Sequence, residues 1–236
     1  MQGKKALVTG GTRGIGLAIA SKLAECGIDV SITGRTPRKD LSQDRLRFIE
    51  ADFTDSKSVD NLCNVVRESN IDILVNNAGI NKISSFTEIS LTDFNAIQQV
   101  NLFAPFLLCQ AAIPYMRENK WGRIINITSI FGKISKELRA SYSASKFALD
   151  GLTVALATEF AKDNILANSV APGFVRTELT ENVLGKEGMA KMAQNVPAGR
   201  LAEPNEIAEL VHWLCSEANT YLSGQNIAID GGFTRV

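Results

Sequence analysis

Residues 5–9 form a short apolar run that ends in two glycines and gives way at once to an apolar pattern of helical period. This strand–turn–helix unit is the feature that most restricts how the chain can fold. In Thr9-Gly10-Gly11-Thr12-Arg13-Gly14-Ile15-Gly16, the glycines at 10, 14 and 16 permit a tight turn, close approach of backbone to a pyrophosphate, and close packing of helix on strand. The helix is expected over residues 15–25, closed by Gly27, with its first N–H groups aimed at the phosphates. The spacing is TGxxxGIG rather than GxGxxG, and such a turn signals nucleotide binding only in this strand–turn–helix context.

The alternation continues along the chain. Strands are expected at 28–33, 46–51, 71–76, 123–128, 165–171 and 226–230, and helices at 56–69, 91–118, 142–162, 179–194 and 204–216. Asp55 or Ser56 is placed to cap the second helix. About ten residues separate strands two and three, near the lower limit for a parallel crossover, so at most a stub of helix is expected there. Pro105 should kink or break the helix at 91–118, and Gly185 and Gly188 should divide 179–194 into two short helices. The pattern predicts a single α/β domain over 1–236. Its core is one doubly wound Rossmann sheet of seven parallel strands, order 3-2-1-4-5-6-7, with helices on both faces.

Composition excludes several function classes. Lys+Arg and Asp+Glu both number 25, so no net field draws the chain to nucleic acid or an anionic membrane. No apolar secretory segment follows Met1, and no stretch is expected to be long and apolar enough to span a bilayer. Cys26, Cys63, Cys109 and Cys215 are scattered, without a CxxC or a companion histidine cluster; they read as buried free thiols of a cytoplasmic protein that holds no metal. His212, the sole histidine, reads as structural. The glycosylation sequon Asn126-Ile127-Thr128 falls in a strand expected to be buried.

Within Ser141-Tyr142-Ser143-Ala144-Ser145-Lys146, Tyr142 and Lys146 are an i,i+4 pair on one helix face. A phenol titrates near pH 10, and an ammonium group one turn away should lower that value towards the range useful for proton transfer. With these motifs in order, the chain resembles the short-chain dehydrogenase/reductases over nearly its whole length. Asn101, Ser129, Tyr142 and Lys146 match that family's catalytic tetrad in identity and order. Asn76-Asn77-Ala78-Gly79 matches its NNAG element, Asp52, next to Phe53, its adenine-binding acid, and Pro172-Gly173 with Val175 and Thr177 the motif that meets the nicotinamide carboxamide.

The resemblance implies hydride transfer from NAD(P)H to a carbonyl carbon. Tyr142 would protonate the oxygen and Ser129 hydrogen-bond it. Lys146 would lower the tyrosine pKa and bind the nicotinamide ribose, and Asn101 would anchor a water that links Lys146 to solvent. Cofactor contacts are expected at Gly10, Thr12, Arg13, Gly14, Ile15, Gly16, Arg35, Asp52, Phe53, Asn77, Ala78, Gly79, Tyr142, Lys146, Pro172, Gly173, Val175 and Thr177. NAD-specific sites carry an acid after strand two. Here Thr33-Gly34-Arg35-Thr36 has none, with Asp29 too early and Asp40 too late, while Arg35 and Arg13 suit a 2′-phosphate. NADP(H) is therefore expected.

The C-terminal half, including Val196-Pro197-Ala198-Gly199-Arg200-Leu201, most resembles 3-oxoacyl-[acyl-carrier-protein] reductases, which implies an acyl carrier protein as a possible partner. Sugar or polyol dehydrogenases share the scaffold, and a non-catalytic NADP-binding protein is the remaining alternative. Lys120 matches a basic carrier-docking position, whereas Asp163 stands where the family has an arginine. Lys133, Lys136 and Arg139, with Glu137, form either a solvated loop or an entrance suited to a polar or anionic substrate. The resemblance also implies a homotetramer built through 91–118, 142–162 and the last strand, and a substrate lid at about 176–200.

Overall fold

The computed structural model describes residues 1–37 and 45–236. The elements follow in the order β1 (Lys5–Val8), α1 (Gly14–Glu25), β2 (Asp29–Gly34), β3 (Leu46–Glu50), α2 (Ser56–Ser69), β4 (Ile73–Asn76), α3 (Leu91–Gln98), α4 (Ala104–Glu118), β5 (Gly122–Ile127), α5 (Ala140–Phe160), β6 (Ile165–Pro172), α6 (Glu178–Ala193), α7 (Pro204–Cys215) and β7 (Asn226–Ile229). All strand pairs are parallel, in the order β3-β2-β1-β4-β5-β6-β7. The expected stub of helix between β2 and β3, and Asp40, lie outside the described residues.

Successive strand residues point to opposite faces, and both faces are covered. Leu7, Leu74 and Ile124 enter one core with α2, α4 and α5 residues such as Leu62, Leu108 and Leu156. Ala6, Val8, Val75 and Ile125 enter the other, with Ile19 and Leu23 of α1 and Ile207 and Val211 of α7. Asn126 is fully buried in β5, so the sequon is a strand residue of the core. The strand order reverses between β1 and β4, and the crevice beyond their C-terminal ends is where such sheets take ligands.

Local signals act as expected at several boundaries. Asp55 caps α2 by accepting from Lys57 N at 3.1 Å, and Gly27 (φ +83°) closes α1. Gly185 leaves the helical region inside α6 (φ +61°, ψ −179°) and divides it. The Pro105 expectation resolves into a specific device. A π-helical turn, Gln99–Phe103, joins α3 to α4, and Pro105 sits in the first turn of α4. Proline has no N–H for the carbonyl four residues back and its ring crowds that carbonyl, here Asn101, so the ordinary ladder cannot pass this point. α4 runs on through Pro114 without a break.

One expectation needs correction. Leu91–Glu118 is long and apolar enough, by length and composition, to cross a membrane. Its most apolar window is 61% buried against the protein, which makes it a core helix pair rather than a free apolar rod.

Candidate active site

At the switch point the glycine turn and the loop after β4 are locked together. Thr9 Oγ1 accepts from the N–H groups of Asn77 (2.9 Å) and Ala78 (3.0 Å). Asn77 Nδ2 donates in return to Thr9 O (2.9 Å) and Gly10 O (3.2 Å). Thr9 opens the TGxxxGIG turn in the sequence, but that position does not announce its role as a strut for the loop after β4. A Cβ on Gly16 would lie 2.3 Å from Gly10 O and 2.4 Å from Asn77 Nδ2, so only glycine lets α1 approach this closely. Gly10 (φ +63°) and Gly14 (φ +55°) are left-handed, and a Cβ on Gly14 would sit 3.4 Å from the Thr177 methyl. Thr177 is thereby brought to the turn; its Oγ1 caps α6 by accepting from Thr180 N at 3.2 Å. Arg13 is exposed at the start of α1, and Ile15 packs on the core.

Beyond β2, Arg35 is exposed and its charge helps hold Asp52 below the usual carboxylate range. The larger causes are the Thr54 hydroxyl (2.7 Å) and N–H (2.9 Å), both donating to Asp52 Oδ1. Phe53 is 8% exposed and packs in the core beside Asp52. Thr12 packs against Gly34, where a Cβ would come within 2.7 Å of its methyl. Asp29 sits at the other end of β2, paired with Arg45 at 2.8 Å. After β6, Gly173 N donates to Ile229 O at 3.0 Å, and a Cβ there would lie 2.7 Å from Asp230 Cα. Val175 bridges to Ala202, on the way from β6 to α6.

Asn101, Ser129, Tyr142 and Lys146 meet across the C-terminal ends of β4 and β5. Asn101, fully buried in the π turn, accepts from Ile80 N and donates to Ile80 O, both at 2.9 Å, and donates to Ser145 Oγ at 3.0 Å. Ser145 Oγ in turn donates to Tyr142 O at 2.7 Å. A Cβ on Gly79 would lie 3.4 Å from Asn101 Oδ1 and 3.5 Å from Lys146 Nζ, so the loop after β4 roofs both groups. Ser129 caps a short 3-10 turn, Ile130–Gly132, with Oγ accepting from Phe131 N at 3.1 Å. Lys146 Nζ stands 5.7 Å from the centre of the Tyr142 ring.

Electrostatics here differ from expectation. Burial raises the Tyr142 phenol above its ordinary value, and hydrogen bonding with Ser129 and the charge of Arg139 only partly counter it. Burial also brings the Lys146 ammonium down to about 8. The i,i+4 rule named the nearest cation but not the loss of water around both groups, which is the larger effect.

The surroundings sort the remaining basic residues. Lys133 Nζ donates to Asn226 O at 2.8 Å, so it ties the loop to β7 rather than facing an entrance. Lys136 is exposed. Arg139 lies over the Phe131 ring at 5.9 Å; Phe131 and Phe174 meet edge to face at 6.5 Å, and Phe174 and Phe233 at 5.0 Å. Asp163 is not an exposed acid: it is 4% exposed, hydrogen-bonded to Lys120 and 3.3 Å from Arg117 Nε.

Comparison with known proteins gives the lineage. Residues 10–234 match the family described as enoyl-(acyl carrier protein) reductase. The 3-oxoacyl-[acyl-carrier-protein] reductase FabG of Aquifex aeolicus is 40% identical over 98% of this chain and 98% of its own length. Among solved structures, a gluconate 5-dehydrogenase from Burkholderia cenocepacia in complex with NADP and tartrate superposes with a TM-score of 0.91 at 31% identity, over 100% of this chain and 97% of that one. A 4-hydroxyisoleucine dehydrogenase complexed with NADH gives 0.91 at 33% identity, over 99% of each chain. Matches of this extent, falling on the same sheet and on a glycine turn locked to the loop after β4, make this chain a member of the short-chain dehydrogenase/reductase family of oxidoreductases.

Proposed function

We propose that the protein reduces a ketone to an alcohol with NADPH, and that Ser129, Tyr142, Lys146 and Asn101 are its working groups. The observation that carries this reading is their convergence: Lys146 beneath the Tyr142 ring, Ser129 in polar contact with the phenol, and Asn101 and Gly79 enclosing the lysine. The residues present fit a dinucleotide. Gly14 and Gly79 leave hollows that a Cβ would fill, the helix α1 N-terminus opens onto the turn, and Arg35 and Arg13 are exposed cations with no acid at 34–37. NADP(H) is the cofactor: a 2′-phosphate suits these arginines, and the gluconate 5-dehydrogenase relative binds NADP.

When bound, the cofactor supplies a hydride. Tyr142 hydroxyl gives its proton to the carbonyl oxygen; its raised pKa keeps that proton in place until charge develops on the substrate. Ser129 Oγ donates to the same oxygen and stabilises it. Lys146, titrating near 8, holds a proton next to the phenol and can return it. Asn101's amide is taken up by Ile80 and Ser145, so a water relaying protons to Lys146 would be held by its main-chain carbonyl, to which Pro105, four residues on, has no N–H to give. Helix α6, divided at Gly185, is the lid of this reading.

The test is NADPH consumption with activated ketones. Tyr142→Phe should lower kcat by about 10²–10⁴ while NADPH still binds. Near-normal turnover in that variant would sink the mechanism, and no turnover by the unaltered protein with any ketone would favour a non-catalytic NADP-binding role.

On substrate, the FabG relatives support a 3-oxoacyl thioester. The Lys120–Asp163 pairing, however, weakens the case for an acidic carrier and favours the second reading, a small polar ketone of the sugar or polyol kind. For assembly, the π turn, α4 and α5 expose Phe103, Phe106, Phe147 and Val154, and α4 and α5 flank a groove of about 690 Å³ lined by Phe106, Ile113, Leu152 and Phe160. We infer a homotetramer that covers this face, as the family resemblance implies.

A further inference from the structure

Arg139 has no role in the reading above, yet its position is unusual among the basic residues near Tyr142. It precedes α5 by one residue and stands three residues before Tyr142, close enough for its charge to act on the phenol. Arg139 is half-buried as a residue, with its guanidinium carbon 5.9 Å from the centre of the Phe131 ring, within the range of a cation–π contact. That ring is itself fixed. Phe131 is 9% exposed, its N–H donates to Ser129 Oγ, and it meets Phe174, the residue after Gly173. Arg139 is thus set on a platform that runs from Ser129 to the end of β6.

Lys136 is exposed to solvent, and other nearby cations are engaged elsewhere. Lys133 is bonded to Asn226 O, Arg176 is paired with Glu203 at 3.4 Å, and Lys82 with Asp93 at 2.7 Å. Among the described residues Arg139 has no carboxylate partner, and Glu137, two residues away, forms no ion pair with it. A guanidinium beside an aromatic ring and without a carboxylate partner keeps its planar fork of N–H donors for an incoming carboxylate. A carboxylate docked there would find a cation that no other acid among the described residues engages.

We propose that Arg139 is a specificity-determining residue that binds the carboxylate of an oxo-acid substrate whose carbonyl lies between Ser129 and Tyr142. The proposal rests on the carbonyl-reductase reading and narrows its substrate: a ketone that carries its own carboxylate, with the body of the molecule against Phe131 and Phe174.

The experiment uses NADPH with pyruvate, acetoacetate and levulinate, each compared with its methyl ester. The three acids step the carboxylate outward from the carbonyl; each ester removes the charge, adds a methyl and, most for pyruvate, activates the ketone, a bias that works against the expected preference for the acid. For at least one spacing, the acid should exceed its ester in kcat/KM by about 10- to 100-fold, mainly through KM, as a charged hydrogen bond implies. The ratio of acid to ester cancels any effect of Arg139 on proton transfer. Arg139→Met should bring that ratio to about one, and Arg139→Lys should restore part of it. Esters reduced as well as or better than acids at all three spacings would overturn the assignment to Arg139 and leave the reductase intact. A preference that survives in Arg139→Met would overturn it as well. Failure to oxidise NADPH with any of the six compounds would bring down the reductase reading and this proposal together.

Discussion

Lys146 Nζ donates a 2.8 Å hydrogen bond to the carbonyl of Ile127, two residues before Ser129, and so pins α5 to the end of β5. The bond fixes where the ammonium stands, and burial sets its pKa at about 8, below its ordinary 10.5. Between those values the folded protein binds fewer protons at this group than the unfolded chain does. The cost of burying the charge is therefore felt in full below about pH 8 and is relieved as pH rises towards 10.5.

Two measurements follow from that sign. The Tm of the unaltered protein, minus that of Lys146→Met, should rise between pH 8 and 10. Under the proposed mechanism, kcat/KM for ketone reduction should fall above about pH 8 with the loss of one proton, and Lys146→Met should lack that limb. A Tm difference that falls over this range would show that the lysine is stabilised, not penalised, by its site.

Cofactor choice should depend on Arg35. Arg35→Asp is expected to swing the ratio of kcat/KM for NADPH over NADH towards NADH by at least about tenfold, through loss of a charged contact and gain of a ribose-binding acid. Placing the acid at Gly34 instead should damage the site, because a Cβ there would come within 2.7 Å of the Thr12 methyl. An unaltered protein that prefers NADH in direct competition would refute the assignment.

Gly16→Ala tests the lock between turn and loop. Its Cβ would fall 2.3 Å from Gly10 O and 2.4 Å from Asn77 Nδ2, so the helix, the turn or the Asn77 strut must move. Overpacking of this kind costs about 1–3 kcal/mol. A lower Tm together with weaker NADPH binding, measured by fluorescence titration, is the expected pair of effects. Unchanged binding would mean that the lock does not shape the phosphate site.

Carrier dependence should hinge on Asp163. With Lys120 hydrogen-bonded to it and Arg117 beside it, an acetoacetyl group on an acidic carrier protein should gain little over the free thioester. Asp163→Ser frees both cations, and should raise kcat/KM for the carrier-bound substrate at low salt, an advantage that added salt removes. A large, salt-sensitive carrier advantage in the unaltered protein would show that Lys120 docks the carrier despite its pairing.

Much of this was legible in the chain. The seven strands and their order follow from apolar periods, glycine positions and the handedness of parallel crossovers, all properties of short stretches and their connections. The missing acid after β2 could be read at one position, and Pro105 marked the place where the helix cannot continue regularly. Other features could not be read this way. Thr9 holds the loop after β4 across 68 and 69 residues of sequence, Lys120 meets Asp163 across 43, and Asn101 meets Ser145 across 44. The Tyr142 phenol is raised although a lysine stands one turn away. Periodicity and turn chemistry depend on near neighbours along the chain, so sequence alone determined the sheet, its crevice and the residue types at its rim. Which charges are paired and which groups lose water depends on atoms brought together from distant segments. Only the packed tertiary structure decided those.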